Sequence, residues 1–193
     1  MIRASELSGR TVVDIDVAEK LGSIERLILD PEGRRVAGFV VSRGGFTGSK
    51  DHRLVPAAAI HSIGPDAVTV KHDAVTTDDN SRLETLPRGS DVIGRKVLTE
   101  DGRYLGKVED VLIDREDGRI FGYVLGDHKG KGKHPYLPAD ANLRAGKDLI
   151  VASESAMRYD WSHEEAPAAR GHWSDPFTTG ENNSAWMREP GSE

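Results

Sequence analysis

Short aliphatic and β-branched runs, Arg10 to Asp16, Ile24 to Leu29, Arg35 to Ser42 and Ala67 to Val70, are separated by clusters of Gly, Asp and Pro. Runs of this length bounded by turn residues predict strands and hairpins. Asp30-Pro31-Glu32-Gly33 and Arg115-Glu116-Asp117-Gly118 fall between adjacent runs and carry the residue types that tight hairpin turns require. Pro56-Ala57-Ala58-Ala59-Ile60 and Pro138-Ala139-Asp140-Ala141 read as short helical turns, with proline favoured at the first position. The expected class is all-β.

Two of the runs do not alternate. Val36 to Val41 and Phe121 to Leu125 are apolar on both strand faces, whereas a strand with one wet side shows polar residues at every second position. One face would fill a small barrel. The other needs a cover from the sister copy, the C-terminal tail or another subunit.

The strand pattern is written twice. Leu21-Gly22-Ser23-Ile24-Glu25-Arg26-Leu27-Ile28-Leu29-Asp30 returns 84 positions later as Leu105-Gly106-Lys107-Val108-Glu109-Asp110-Val111-Leu112-Ile113-Asp114. Gly9-Arg10-Thr11-Val12 answers Gly94-Arg95-Lys96-Val97, and Val55-Pro56-Ala57 answers Leu137-Pro138-Ala139. A period this long marks a whole small domain, since solenoid and propeller units run to roughly 20–50 residues. The organisation expected is a first barrel at 1–72, a linker at 73–89, a second barrel at 90–157 and a polar tail at 158–193. Within the linker, Asp79 to Pro87 predicts one or two helical turns stopped by proline.

The Gly-Arg-x-Val opening, the Leu-Gly-x-hydrophobic-Glu strand ending in Asp, the Gly-aromatic-Val strand and the Val/Leu-Pro-Ala segment resemble the PRC-barrel, over about residues 3 to 72 and 90 to 153. The resemblance implies two tandem SH3-like β-barrels. Such barrels form the cytoplasmic domain of the photosynthetic reaction-centre H subunit, the C-terminal domain of the bacterial ribosome maturation factor, and many stand-alone proteins. The chain shows neither the membrane helix of the one nor the N-terminal partner domain of the other, so neither role transfers directly.

Composition narrows the picture. The 193 residues contain no cysteine, which removes disulfides and thiolate metal sites, and no run of 18 apolar residues that could span a bilayer. The opening residues lack the apolar core of a signal peptide, so a cytoplasmic location is expected, at most peripheral to the membrane face. Of the net charge of −6, most lies from Arg158 onward, where three Arg face seven Asp and Glu. Nucleic acid is a poor match for that balance.

Candidate chemistry is sparse. The polar, Gly-rich segment 126–134 offers Lys129, Lys131 and Lys133 as a candidate anion-binding loop, although it lacks the order of a nucleotide P-loop. His128, His134 and His52 of the corresponding loop form no metal motif, so no metal is expected. No catalytic residues and no cofactor are expected either. The tail holds all three tryptophans: Trp161, Trp173 and Trp186, with Phe177, are spaced along a segment rich in Pro, Gly, Ser and Asn. Aromatic residues spaced along a polar strand suit anchoring, on the chain's own barrels or on a partner.

The expected function is therefore that of a non-enzymatic assembly or adaptor module, binding another protein through barrel faces and the tryptophan-bearing tail, with homo-oligomers also open. The alternative is a peripheral cytoplasmic subunit of a membrane complex such as a photosynthetic reaction centre, which would meet the membrane only through a partner. RNA or ribosome association is a third reading.

Overall fold

The computed structural model describes residues 1–30, 34–44, 50–72, 81–126, 135–141, 143–146 and 148–159. Two barrel-like sheets fill these residues, in agreement with the all-β expectation. The first contains β2 (Thr11–Asp14), β3 (Glu19–Leu29), β4 (Val36–Gly44), β5 (Lys50–Pro56), β6 (Ile60–Ile63) and β7 (Ala67–Val70), in the order β5-β4-β3-β2-β7-β6. The second contains β8 (Lys96–Leu98), β9 (Tyr104–Ile113), β10 (Ile120–Gly126), β11 (Pro135–Pro138), β12 (Arg144–Ala145) and β13 (Leu149–Val151), in the matching order β11-β10-β9-β8-β13-β12. Neighbours are antiparallel except β2 with β7 and β8 with β13, which are parallel.

The repeated residues are scaffold. Gly22 and Gly106 sit at φ +148° and +147°, where a Cβ would lie 2.5 Å from the Ser42 carbonyl oxygen and 2.6 Å from that of Gly126. Only glycine fits such a crossing of two strands. Ala57–Ala59 forms a 3₁₀ turn after Pro56, as expected, whereas Pro138 to Ala141 is a plain turn closed by a 3.2 Å bond from Ala141 N–H to the Pro138 carbonyl. Asp114 and Asp117 organise the second hairpin: their Oδ1 atoms accept the N–H groups of Glu116 (2.8 Å) and Arg119 (2.9 Å).

Each copy begins with an arm that leaves it. Strand β1 (Ile2–Arg3) pairs with β9 of the second sheet, Ile2 opposite Ile113 and Arg3 opposite Leu112, and leads into helix α1 (Ala4–Leu7). In the second copy Arg88 bridges Ile28 of the first, Leu29 N–H donates to the Pro87 carbonyl at 2.9 Å, and helix α3 (Gly89–Val92) follows. The two arms are thus exchanged, and both are stiffened alike: Arg3 N–H donates to Glu6 (3.0 Å) and Arg88 N–H to Asp91 (2.7 Å).

Between the arms the two hairpins meet head to head. Arg35 bridges Arg119, its own counterpart, while Val36 N–H reaches the Gly118 carbonyl at 2.8 Å and Ile120 N–H the Arg34 carbonyl at 2.9 Å. A pseudo-two-fold axis passes through this junction, because each bond has its reciprocal. The first barrel's core runs through it without a break: Leu7, Val12, Ile24, Phe39, Val41 and Val55 share one buried cluster with Val111, Ile113 and Ile120 of the second copy. A smaller cluster around Val97, Leu105, Val108, Leu125, Leu137 and Ile150 fills the second barrel.

Candidate functional site

The outer faces of β3-β4-β5 and β9-β10-β11 are equivalent by the repeat, and the two copies line and edge them differently. On the first barrel, Ile28, Ala37 and Val40 are buried beneath Leu83 of helix α2 (Ser81–Thr85), with Leu54 and Leu86 at the margin. Residues that composition marks as linker therefore supply the missing cover for this strand face. The helix is tied down at its end by Arg88, whose guanidinium donates to the carbonyls of Leu83 (2.9 Å) and Glu84 (3.4 Å).

Beside this helix the cover stops short, leaving an open cleft of about 360 Å³ lined by Arg26, Val40, His52, Leu54, Glu84 and Arg88. Val40 and Leu54 supply its apolar lining, and Arg26 and Arg88 bring positive charge to it. Glu25 approaches His52 Nδ1 at 3.2 Å and Arg26 at 3.6 Å, so part of the positive charge is balanced. The 3.2 Å approach is an ion-pair distance without hydrogen-bond alignment, because Glu25 Oε2 has no hydrogen-bond partner. Strand β5 is the edge of its sheet, and among the described residues nothing pairs with its outer side.

The second barrel's counterpart is closed. Strand β14 (Arg158–Tyr159) pairs with β11, Pro135 opposite Tyr159 and Tyr136 opposite Arg158, and occupies the edge that β5 leaves open. The face itself is Leu112, Val124 and Tyr136 with Phe121 beside them; Phe121 and Tyr136 stack at 5.8 Å between ring centroids, 25° from parallel. Asp110 stands where the first copy has Arg26. It is 3% exposed, and its carboxylate accepts Ser5 N–H (3.2 Å), Ser5 Oγ–H (2.5 Å) and Val111 N–H (2.8 Å).

A separate carboxylate and imidazole pair lies at the far end of the first barrel. Asp14, 1% exposed, meets His72 Nδ1 at 2.7 Å and accepts Asp16 N–H at 3.1 Å, while Asp16 Oδ2 accepts His72 N–H at 2.9 Å. Burial works to raise the Asp14 pKa. The hydrogen bonds from His72 and from the N–H groups of Asp16 and Val17 outweigh it and hold the carboxyl below its ordinary value. This cluster clamps the β2–β3 turn to the end of β7.

Of the residues singled out in the sequence, His52 lies on the cleft. Lys129, Lys131, Lys133, Trp161, Trp173, Phe177 and Trp186 lie outside the described residues. Sequence reasoning missed Arg26, Leu54 and Arg88; the signal available was the mismatch of Arg26 with Asp110 and of Leu54 with Tyr136 in otherwise matching copies. Among the described residues no three His, Asp or Glu gather in a group that could hold a metal ion, and no helix is long and apolar enough to cross a membrane.

Comparison with curated proteins finds no match. The two halves that the exchanged arms join, residues 1–76 and 84–156, each match the PRC-barrel domain, and the chain belongs to that family as a tandem pair.

Proposed function

We propose that this protein is a non-enzymatic adaptor whose first barrel holds an extended segment of another protein along β5. The observation that carries this reading is the asymmetry of the two edges: the chain's own β14 fills the edge beside β11, and among the described residues no strand pairs with the equivalent edge of β5. Strand addition supplies main-chain hydrogen bonds, and pockets for alternate side chains supply selectivity. Here Leu54 and Val40 suit an apolar side chain, and Arg26 and Arg88 suit acidic ones on the same face of the added strand. Membership in a family of protein-interaction modules supports the same role.

The test is affinity capture with the full chain from the native cell, followed by binding of synthetic segments of the captured protein. Leu54→Glu and Arg26→Glu should each abolish binding of one such segment, while replacing Lys129, Lys131 and Lys133 by Ala leaves it intact. A partner that survives both cleft substitutions overturns the assignment.

A further inference from the structure

Glu25 sits on a β-bulge. Strand β3 pairs with β4 through Ile24 opposite Val41 and then Arg26 opposite Val40, so Glu25 is the extra residue between them. A bulge re-aims the side chain it carries, and here the carboxylate comes 3.2 Å from His52 Nδ1 on β5 and 3.6 Å from the Arg26 guanidinium. Its Oε2 is buried and accepts no hydrogen bond among the described residues. A carboxylate oxygen at 3.2 Å repels the lone pair of a bare ring nitrogen, so Nδ1 is the nitrogen that carries hydrogen. The His52 side chain is 41% exposed, and its other nitrogen, Nε2, is the one offered to a ligand.

A strand added beside β5 meets this face in a fixed order. Neighbouring strands lie about 4.8 Å apart, so the added segment is one step from His52 and Leu54 but about 14 Å from the backbone of Arg26, three steps away. Residues directly opposite one another share a face. His52 and Leu54 are two positions apart on β5, so the two side chains that stand next to them are two apart in the segment. The one beside Leu54 joins Val40 in the apolar part of the cleft. The one beside His52 meets the imidazole, with Glu25 on its far side.

The other described charged groups at this face are Glu25 and Arg26 of β3, Glu84 of α2 and Arg88 of the arm, while β4 places the uncharged Val40 and Ser42 opposite Leu54 and His52. Two acids balance two guanidiniums, and the proton on His52 decides the sign. Resting on the reading of β5 as a docking edge, we propose that His52 selects the partner: as an imidazolium held by Glu25 at Nδ1, it binds a carboxylate at Nε2. The recognised segment therefore carries an acidic residue two positions from an apolar one. Carboxylates and guanidiniums keep their charge between about pH 6 and 8, whereas an imidazole titrates there. Binding of the acidic segment thus takes up a proton and tightens as pH falls.

The probe is the peptide acetyl-Ser-Thr-Ser-Asp-Thr-Leu-Ser-Thr-Ser-amide, with its reversed sequence for the opposite strand direction, titrated into the full chain by calorimetry. One of the two should bind at least about fivefold more tightly at about pH 6 than at about pH 8. Asparagine in place of the probe's aspartate should remove that preference, and moving its leucine next to the aspartate should weaken binding at both values. His52→Gln should abolish the pH dependence, whereas His52→Lys, a cation throughout, should bind the probe equally at both. Glu25→Gln should move the onset of tight binding to lower pH, since the negative charge behind the ring is lost. No binding of either probe, an affinity independent of pH, or a pH dependence that survives His52→Gln in folded protein overturns the proposal. Leu54→Glu separates the two readings: a captured partner that is lost in this variant yet indifferent to His52→Gln and to pH leaves β5 as the docking edge and removes only the role of His52.

Discussion

Ser5 and Asp110 join the two copies by a two-pronged hydrogen bond, the serine N–H and Oγ–H both donating to one buried carboxylate. The pair lies across 105 positions of chain and has no equivalent in the first copy, where Arg26 replaces the aspartate. It caps the exchanged helix α1 from a strand of the other barrel. Removing the serine hydroxyl leaves the buried Asp110 carboxylate short of a donor, whereas the exposed Ser5 can turn to water when Asp110 is removed.

A double-mutant cycle measures this link. Ser5→Ala should cost about 1 kcal/mol of unfolding free energy and Asp110→Ala about 1–3 kcal/mol. The double variant should lose less than the sum by at least about 0.5 kcal/mol, read from urea midpoints. Strict additivity would show that the bond does not hold the arm.

The exchanged arms predict that neither half is self-sufficient. Fragments 1–76 and 81–159 should each melt below the intact chain, because each lacks the arm that completes its long strand and exposes Leu27, Leu29 and Val36 or their counterparts Val111, Ile113 and Ile120. Mixed together, they should form a one-to-one complex by analytical ultracentrifugation and regain the intact melting behaviour. Independent melting of both fragments at the intact temperature would contradict the shared core.

Leu83 is 3% exposed in a segment whose neighbours are polar. Its truncation to Ala should cost about 2–3 kcal/mol, the range for a buried leucine whose site collapses in part. Glu84→Ala, one residue on and exposed, should stay within about 0.5 kcal/mol. Chemical denaturation of the two variants separates a packed cover from a passive tether.

The Asp14 carboxyl has a folded pKa below its unfolded value, so its contribution to stability is complete above the unfolded value and is lost as pH falls through the folded one. Stability should therefore decline below about pH 4, and Asp14→Asn should flatten that part of the profile. His72→Ala removes the strongest of the favourable hydrogen bonds and should flatten it in the same direction. Urea midpoints from neutral to acidic pH read both slopes; an unchanged acid slope in Asp14→Asn would assign the decline to other carboxylates.

Much of this architecture was legible in the sequence. The strand runs, the 3₁₀ turn after Pro56 and the helical turn ahead of Pro87 follow from local periodicity and turn chemistry, which act over a few residues; the strand order and the close crossings at Gly22 and Gly106 depend on distant partners and came only with the structure. The exchange of arms was not legible, because a repeat looks the same whether Arg3 pairs with its own Ile28 or with the sister's Leu112. Covers were equally hidden: Leu83 and Leu86 are two apolar residues in a polar stretch, and their value depends on the doubly apolar strands they meet. The cleft was present in the sequence only as a difference between copies, Leu54 against Tyr136 and Arg26 against Asp110. Its meaning depended on knowing that these four side chains share an outward face.

The junction of the barrels also sets an order of events during synthesis. The ribosome delivers the first barrel's strands before Leu83 and Arg88 exist, at about 5–20 residues per second. For that interval Ile28 and Val40 have no cover and β3 has no arm beside it, whereas the second barrel finds Ile2 and Arg3 already waiting for β9. The first copy must wait for its successor, and the second is born beside a finished template. A chaperone that recognises bare apolar strands would meet this protein through its N-terminal half.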